Sequence, residues 1–374
     1  MKKQVKTLGL AFLLVILTVG LSIASVQAAP ELSGEFSNTL QLGAKDPYPL
    51  SGSQELKLTL EQFFGEGAVY LSLQGVYNWP KEANANQWSF GLDEAYLDYY
   101  GRDFDLRVGK QRINWGTALQ VNPTSYLNPI NVNNPLGPKL PVYAMNLDYY
   151  VDDNWKLTGV YLPFFVPALE AVPGQPQIEV LKPATTLKNG EVALKISAMG
   201  LRGADFSVSY FRGKEDLPTP ILQPGQPPKA YFRDVQIFGA DLATTVGEVG
   251  VWAELAYNLP KGGDAYYQGI IGADYGLENG LILVGQYFHH NKDKESTVLV
   301  LLGANQIVGL YEWRAGVVYN LNVKSFMLNP EISYSLASST VLTLGVRYFA
   351  DDQGPVGMLP LEQNQIYLQM KVDF

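Results

Sequence analysis

Asn364-Gln365-Ile366-Tyr367-Leu368-Gln369-Met370-Lys371-Val372-Asp373-Phe374 closes the chain. Ile366, Leu368, Met370, Val372 and Phe374 fall on one face of an extended strand. Gln365, Tyr367, Gln369, Lys371 and Asp373 fall on the other, and all of them have polar character. Alternation at a period of two means a strand with one oily face and one wet face. A soluble sandwich would end the same way, so the other end of the chain has to decide between the two settings.

That end reads as a secretory signal. Lys2, Lys3 and Lys6 precede the uncharged run Leu8 to Ala24, and Val26-Gln27-Ala28 supplies small residues at cleavage spacing. We therefore expect residues 1–28 to be removed and residues 29–374 to form a single domain. The first 28 residues hold three Lys and no acid. Taking them from 27 basic residues leaves 24 against 36 acidic ones, a formal charge of −12. Such a balance argues against a nucleic-acid partner; spread over loops and lumen alike, it does not decide ion preference, and a cation preference is the expectation. The chain has no Cys, which fits an exported protein held by hydrogen bonds alone.

Segments of about ten residues repeat the terminal pattern, separated by turn residues. Leu56, Leu58 and Leu60 alternate with Glu55, Lys57, Thr59 and Glu61. Val192, Leu194, Ile196 and Ala198 alternate with Glu191, Lys195 and Ser197. Val249, Val251, Ala253, Leu255 and Tyr257 alternate with Glu254 and, less typically, Trp252. The charged face cannot sit in hydrocarbon and must line an interior. Connections alternate between short ones (Phe64 to Gly67, Asp152 to Asn154, Gly200 to Gly203, Leu277 to Gly280) and long ones (Arg112 to Pro141, Pro163 to Asn189, Gly213 to Phe232). An exported chain of this kind is expected to be an all-β protein, a transmembrane antiparallel up-and-down β-barrel in a bacterial outer membrane. Its terminal Phe374 resembles the signal read by the barrel-assembly machinery. Plain alternation gives seventeen strands. Both termini on the periplasmic side demand an even number, and Ser296 to Gly303 is the best candidate for the missing strand. The expectation is about 18 strands, with 16 as the alternative. Tyr77, Trp79, Tyr99, Tyr100, Tyr149, Tyr150, Trp155, Tyr161, Tyr266, Tyr267, Tyr287 and Tyr348 near strand ends suit two aromatic girdles at the lipid headgroups.

The densest polar stretch runs from Arg107 to Asn134. Gly109-Lys110-Gln111-Arg112-Ile113-Asn114-Trp115-Gly116, followed by Asn122-Pro123-Thr124 and Leu127-Asn128-Pro129, resembles a segment of porin-like barrels of the alginate-export type and their uncharacterised relatives. In those, a Gly-Arg-Gln stretch ends a strand and Trp-Gly opens a loop with Asn-Pro steps. The family usually has Arg where this chain has Lys110, which loses the planar fork, and often Asp where it has Ser125. The resemblance implies a channel fold and names no solute.

The Arg112–Pro141 segment is the third outer loop, the one that narrows the lumen in general porins. Arg107, Lys110, Arg112, Asn114, Trp115, Asn122, Tyr126 and Asn128 are therefore the candidate constriction residues, offering amide groups, cations and flat aromatic faces to a sugar or organic acid. The plainer reading is that the loop packs on the wall and its Asn-Pro steps set turns. Glu94, Asp98, Asp105, Lys156, Lys195, Arg314 and Arg347 are the candidate lumen charges, joined by Glu55, Lys57, Glu61 and Glu191. Glu94 and Asp98 would neighbour Asp105 and Arg107, but ion pairs filling a closed lumen would look the same.

The pattern begins near Gly34 and leaves no room for the large plug of an energised transporter. A passive diffusion channel for small hydrophilic solutes, as a monomer or trimer, is the favoured expectation, with no cofactor and no metal. The alternatives are a non-conducting structural or adhesive barrel and an outer-membrane hydrolase using His289 or His290. These two histidines are adjacent and point to opposite faces. Glu94 and Asp98, about 13 Å apart on one strand face, are too far apart for a glycosidase carboxylate pair.

Overall fold

Side chains alternate between exposed apolar and inward polar along eighteen antiparallel strands of a single closed sheet. The computed structural model describes residues 29–44, 50–79, 87–132, 137–168, 178–221, 227–292, 295–350 and 364–374. Residues 1–28, where a signal peptide is expected, and most of the last outer loop lie outside them.

The wall is built from β1 (Glu31–Gly43), β2 (Leu50–Phe64), β3 (Gly67–Trp79), β4 (Trp88–Tyr100), β5 (Phe104–Gln111), β6 (Val142–Tyr150) and β7 (Trp155–Leu162). A short β8 (Glu179–Leu181) stands apart. The wall continues with β9 (Glu191–Leu201) and β10 (Ala204–Lys214), and β11 (Thr219–Ile221) and β12 (Lys229–Tyr231) again stand apart. It resumes with β13 (Asp234–Val246), β14 (Val249–Pro260), β15 (Tyr266–Gly276), β16 (Ile282–Lys292), β17 (Glu295–Val308), β18 (Tyr311–Asn320), β19 (Ser325–Ala337), β20 (Thr340–Phe349) and β21 (Gln365–Asp373). β8, β11 and β12 make a small mixed sheet from the fourth and fifth outer loops.

β21 closes the ring on β1, from Glu35 opposite Asp373 to Gly43 opposite Gln365. Closure pairs every strand edge, and in hydrocarbon each unpaired backbone group would cost several kcal/mol. The expected eighteenth strand is real: Ser296 to Gly303 lies within β17. Other boundaries shift. β16 runs on to Lys292 and β17 starts at Glu295, so both are longer than their alternation suggests. The fifth outer loop spans 215–233 rather than Gly213 to Phe232.

Leu194, Leu255, Ile271, Leu302, Leu344 and Ile366 are exposed on the outer surface, as a lipid-facing band requires. Tyr99, Tyr149, Tyr275 and Tyr311 are exposed at the short-turn end; Trp88, Phe90, Tyr257, Tyr287 and Tyr348 are exposed toward the long-loop end. Tyr266 leaves the expected girdle for the interior, where it donates its hydroxyl to Glu215 at 3.3 Å, and so do Tyr100 and Tyr150. Each of the latter two falls one residue out of phase and donates its hydroxyl hydrogen inward, to Asp98 at 3.3 Å and Asp105 at 2.7 Å.

The interior carries apolar surface that the sequence pattern does not announce. Val142, Ala144, Val160, Leu162, Ala193, Phe211, Val235, Ile237 and Ala256 of the wall bury Ile113, Trp115 and Leu127 of the third loop. A second inner patch, including Ile270, Phe288, Leu299, Leu301 and Val318, receives Ala118 and Val121 of the same loop.

Candidate lumen site

The third outer loop enters the barrel and fastens to the far wall. It leaves β5 and reaches β14 and then β16, eight strands further round an eighteen-strand ring and so nearly opposite its origin. One buried carboxylate makes the main attachment. Glu254 on β14 accepts from the backbone N–H groups of Thr117 (2.6 Å), Ala118 (2.6 Å) and Thr124 (3.0 Å), and from the Thr124 hydroxyl (2.9 Å). Convergent N–H groups of this kind form a nest for an anion. Gly116 makes the nest possible. Its φ is +85°, and a Cβ there would stand 2.5 Å from Glu254 Oε1. The Trp-Gly step of the sequence motif thus has a physical cause. Gln286 on β16 adds a reciprocal pair: Leu119 N–H donates to its Oε1 and its Nε2 donates to the Leu119 carbonyl, both at 2.9 Å. The same Oε1 accepts from Trp252 Nε1 at 2.9 Å. Tyr126 donates its hydroxyl to Ser209 on β10 at 2.8 Å.

The Asn residues of the loop are internal fasteners. Asn128 is buried; its Oδ1 accepts from Ile113 N–H at 2.7 Å, and its Nδ2 donates to the carbonyls of Gln111 (3.3 Å) and Leu140 (2.8 Å). It therefore ties the outgoing stem of the loop to the returning one. Asn122 donates to the Trp115 carbonyl at 2.9 Å and accepts from Ser125 N–H at 3.0 Å. Neither presents its amide to a solute, so the turn-setting reading holds for these two while the loop as a whole still occupies the lumen. Lys110 also leaves the expected constriction. It shares the strand phase of Leu106 and Val108, opposite that of Arg107 and Gln111, and its ammonium caps the Leu92 carbonyl.

Charges line the inner wall in pairs. Arg107 grips Asp98 through Nε and Nη2 at 2.7 and 2.8 Å, and its guanidinium lies over the Tyr96 ring. Arg112 reaches Asp93 at 2.5 Å, Glu94 at 3.1 Å and the Lys139 carbonyl at 2.6 Å. Strict alternation would send Asp93 to the lipid side. A bulge between the partners of Ser72 and Leu73 instead turns both Asp93 and Glu94 to Arg112. Adjacent acids in a strand that must keep charge out of lipid are the signal that would have revealed it. Lys156 stands 3.5 Å from Asp148 and Lys195 3.6 Å from Asp241. Arg314 pairs with Glu312 on its own strand, and Arg347 lies beside the Tyr367 ring; neither joins the cluster beside the loop.

That cluster borders an open cavity of about 250 Å³. Arg107, Arg112, Lys156 and Lys195 line it, with Asn114, Trp115 and a single carboxylate, Asp148. Lys195 also faces the Trp115 ring at 5.5 Å. Near the returning stem, Lys139 donates to the Ser125 carbonyl. In the fifth outer loop, burial pushes the Asp216 carboxyl up to about 7, against the pull of Lys139.

The histidines do point apart. His290 turns inward against Tyr266 and Phe288. His289 Nε2 lies 2.8 Å from Ser296 Oγ and its Nδ1 3.1 Å from the Tyr267 hydroxyl. These polar tips sit in the outward phase at the long-loop end of β15 to β17, where girdle side chains meet headgroups.

The profile of a family described as "Protein of unknown function (DUF1302)" matches residues 69–344. No curated protein matches. Among solved structures, OccAB4 of Acinetobacter baumannii superposes with a TM-score of 0.60 at 10% identity, covering 93% of this chain and 98% of that one. OccAB3 of the same organism gives 0.58 at 11%, covering 92% and 98%. OccK11 (OpdR) of Pseudomonas aeruginosa gives 0.57 at 10%, covering 92% and 96%. At these identities the likeness is one of fold.

Proposed function

The chain belongs to the family described as "Protein of unknown function (DUF1302)", and from that premise we propose that it is a passive diffusion channel of the bacterial outer membrane for small hydrophilic solutes, sugars or organic acids. One observation carries the reading: the Arg112–Pro141 loop crosses the lumen and is pinned to the opposite wall by Glu254 and Gln286. A fixed constriction beside a charged wall sets what passes through selectivity by size, charge and hydrogen bonding. The likeness of the Gly109–Pro129 segment to alginate-export-type barrels supports the same reading, as does the porin-type fold. The solute gradient drives flow. The partners are outer-membrane lipid, the assembly machinery that reads Phe374, and the solute; the barrel works as a monomer or a trimer.

The test is to refold residues 29–374 and record single-channel current in a planar bilayer. Steady open steps that a sugar or organic acid interrupts support the channel. A folded, heat-modifiable barrel that never conducts sinks it and favours the non-conducting barrel, whose lumen the Arg107–Asp98 and Arg112–Asp93 pairs would help to fill.

A further inference from the structure

Net charge says little about the field inside a barrel, because what a solute meets is the charge that faces it. In the pairs beside the cavity the acid is the more buried member. Side-chain exposure is 36% for Arg107 against 9% for Asp98, 17% for Arg112 against 7% for Asp93, and 14% for Lys195 against 8% for Asp241. At these three pairs the wall holds the carboxylate and turns the cation to the lumen; Lys156 and Asp148 are nearly equally exposed, at 24% and 22%, and share the cavity lining.

The four cations are not equally committed. Arg107 and Arg112 spend their forks on acids at 2.5–3.1 Å. Lys156 and Lys195 meet theirs only at 3.5 and 3.6 Å, beyond the usual 2.7–3.2 Å of an N–H···O bond. Those acids have other donors: Thr158 donates its hydroxyl to Asp148, and Ser207 donates its hydroxyl to Asp241. Each ammonium has three hydrogens to give, so both lysines keep donor capacity. They are also neighbours. Thr158 sits opposite Lys195 and Lys156 opposite Ser197, which places the two ammonium-bearing residues diagonally across adjacent strands, within reach of one small anion. The remaining lining suits a short polar body: the Asn114 amide and the hydroxyls of Thr158 and Ser197. A volume of about 250 Å³ is that of roughly eight waters at ~30 Å³ each.

We propose that this cavity is a subsite for small carboxylates, with the solute's carboxylate held between Lys156 and Lys195 and its hydroxyl or carbonyl groups facing Asn114, Thr158 and Ser197. The assignment rests on the channel reading and narrows its solute class from sugars or organic acids to organic acids. It also reverses the cation preference expected from the sequence. Lys195 over the Trp115 ring couples the subsite to the loop that narrows the lumen.

The experiment uses the full mature chain in a planar bilayer under a potassium chloride gradient, with malonate or glucose added. The wild type is expected to show an anion-favouring reversal potential and to be interrupted by malonate at concentrations at least tenfold below those at which glucose acts. Lys156→Gln/Lys195→Gln, checked for folding by heat-modifiable migration, is expected to lose that difference and to shift the reversal potential toward cations. A conducting wild type whose selectivity and malonate response match those of the double variant overturns the subsite and leaves the channel standing. Equal response to glucose and malonate overturns it too. Should the barrel not conduct, the channel reading fails on its own, and titration calorimetry of malonate into the folded barrel in detergent still judges the subsite. Heat of binding that the double variant loses supports it; no heat in the wild type overturns it.

Discussion

Glu254 shows how much of the loop's position depends on one side chain. Its carboxylate takes four donors from the loop, two on each oxygen. Hydrogen bonds to a charged group are worth about 1.5–3 kcal/mol each. Glu254→Gln keeps one acceptor oxygen and points an NH₂ group at two of the donors, so about 3–6 kcal/mol of anchoring is lost. The buried apolar contacts of Ile113, Trp115 and Leu127 remain, so the loop should loosen rather than leave. The expected record is a larger unitary conductance broken by short-lived substates, against steady steps in the wild type. Identical traces would mean that the apolar contacts alone hold the loop. The sequence placed Glu254 on the inward face by its alternation with Val251, Ala253, Leu255 and Tyr257. It gave no sign of the partner, because the contacts join residues 130 to 137 positions apart. Asp93 was hidden for the opposite reason: the cause is local, but it is a bulge that breaks the alternation on which the reading relied.

At the scale of elements, the strands and the bounds of the third loop were legible, and the path of that loop was not. Alternation and termini parity located β17 before any geometry, since a two-residue period survives in any strand that has lipid on one side and water on the other. The third loop's path is set by long-range contacts and by the Gly116 backbone, which no periodicity reports. Its outer shell contains a titrating group. The Asp216 carboxyl, in the 215–233 loop, is raised by burial from 3.8 to about 7, and Lys139 of the third loop and neighbouring Glu215 are the charges acting on it. A raised acid favours the protonated folded form. The loop packing is therefore at full strength below 3.8 and weakens as pH rises to about 7, where the buried group ionises. Protease cleavage of the outer loops in the folded barrel should speed up between pH 5 and pH 8, after correction for the protease's own pH profile. Asp216→Asn should flatten that rise. A rise unchanged in Asp216→Asn would assign it to another group.

For the whole molecule the question is what closure requires. The β1–β21 seam carries nine paired positions, Glu35–Asp373 through Gly43–Gln365, and beyond them Gly34 and Phe374 exchange backbone hydrogen bonds at 2.7 and 2.9 Å. The Phe374 ring adds little to this seam. It is exposed on the outer surface and lies over Gly34, where a Cβ would come within 2.5 Å of it. Backbone pairing closes the ring and survives a change of side chain, whereas an exposed terminal aromatic is available to be read from outside. Phe374→Ser should consequently refold in detergent to the same heat-modifiable barrel with the same unitary conductance. In cells the variant should reach the outer membrane at a clearly lower level, with unassembled chain degraded or held in the periplasm. Gly34→Ala, which displaces the ring without removing it, should fall between the two. If Phe374→Ser also fails to refold in detergent, the ring is part of the seam, and closure requires more than the paired backbone.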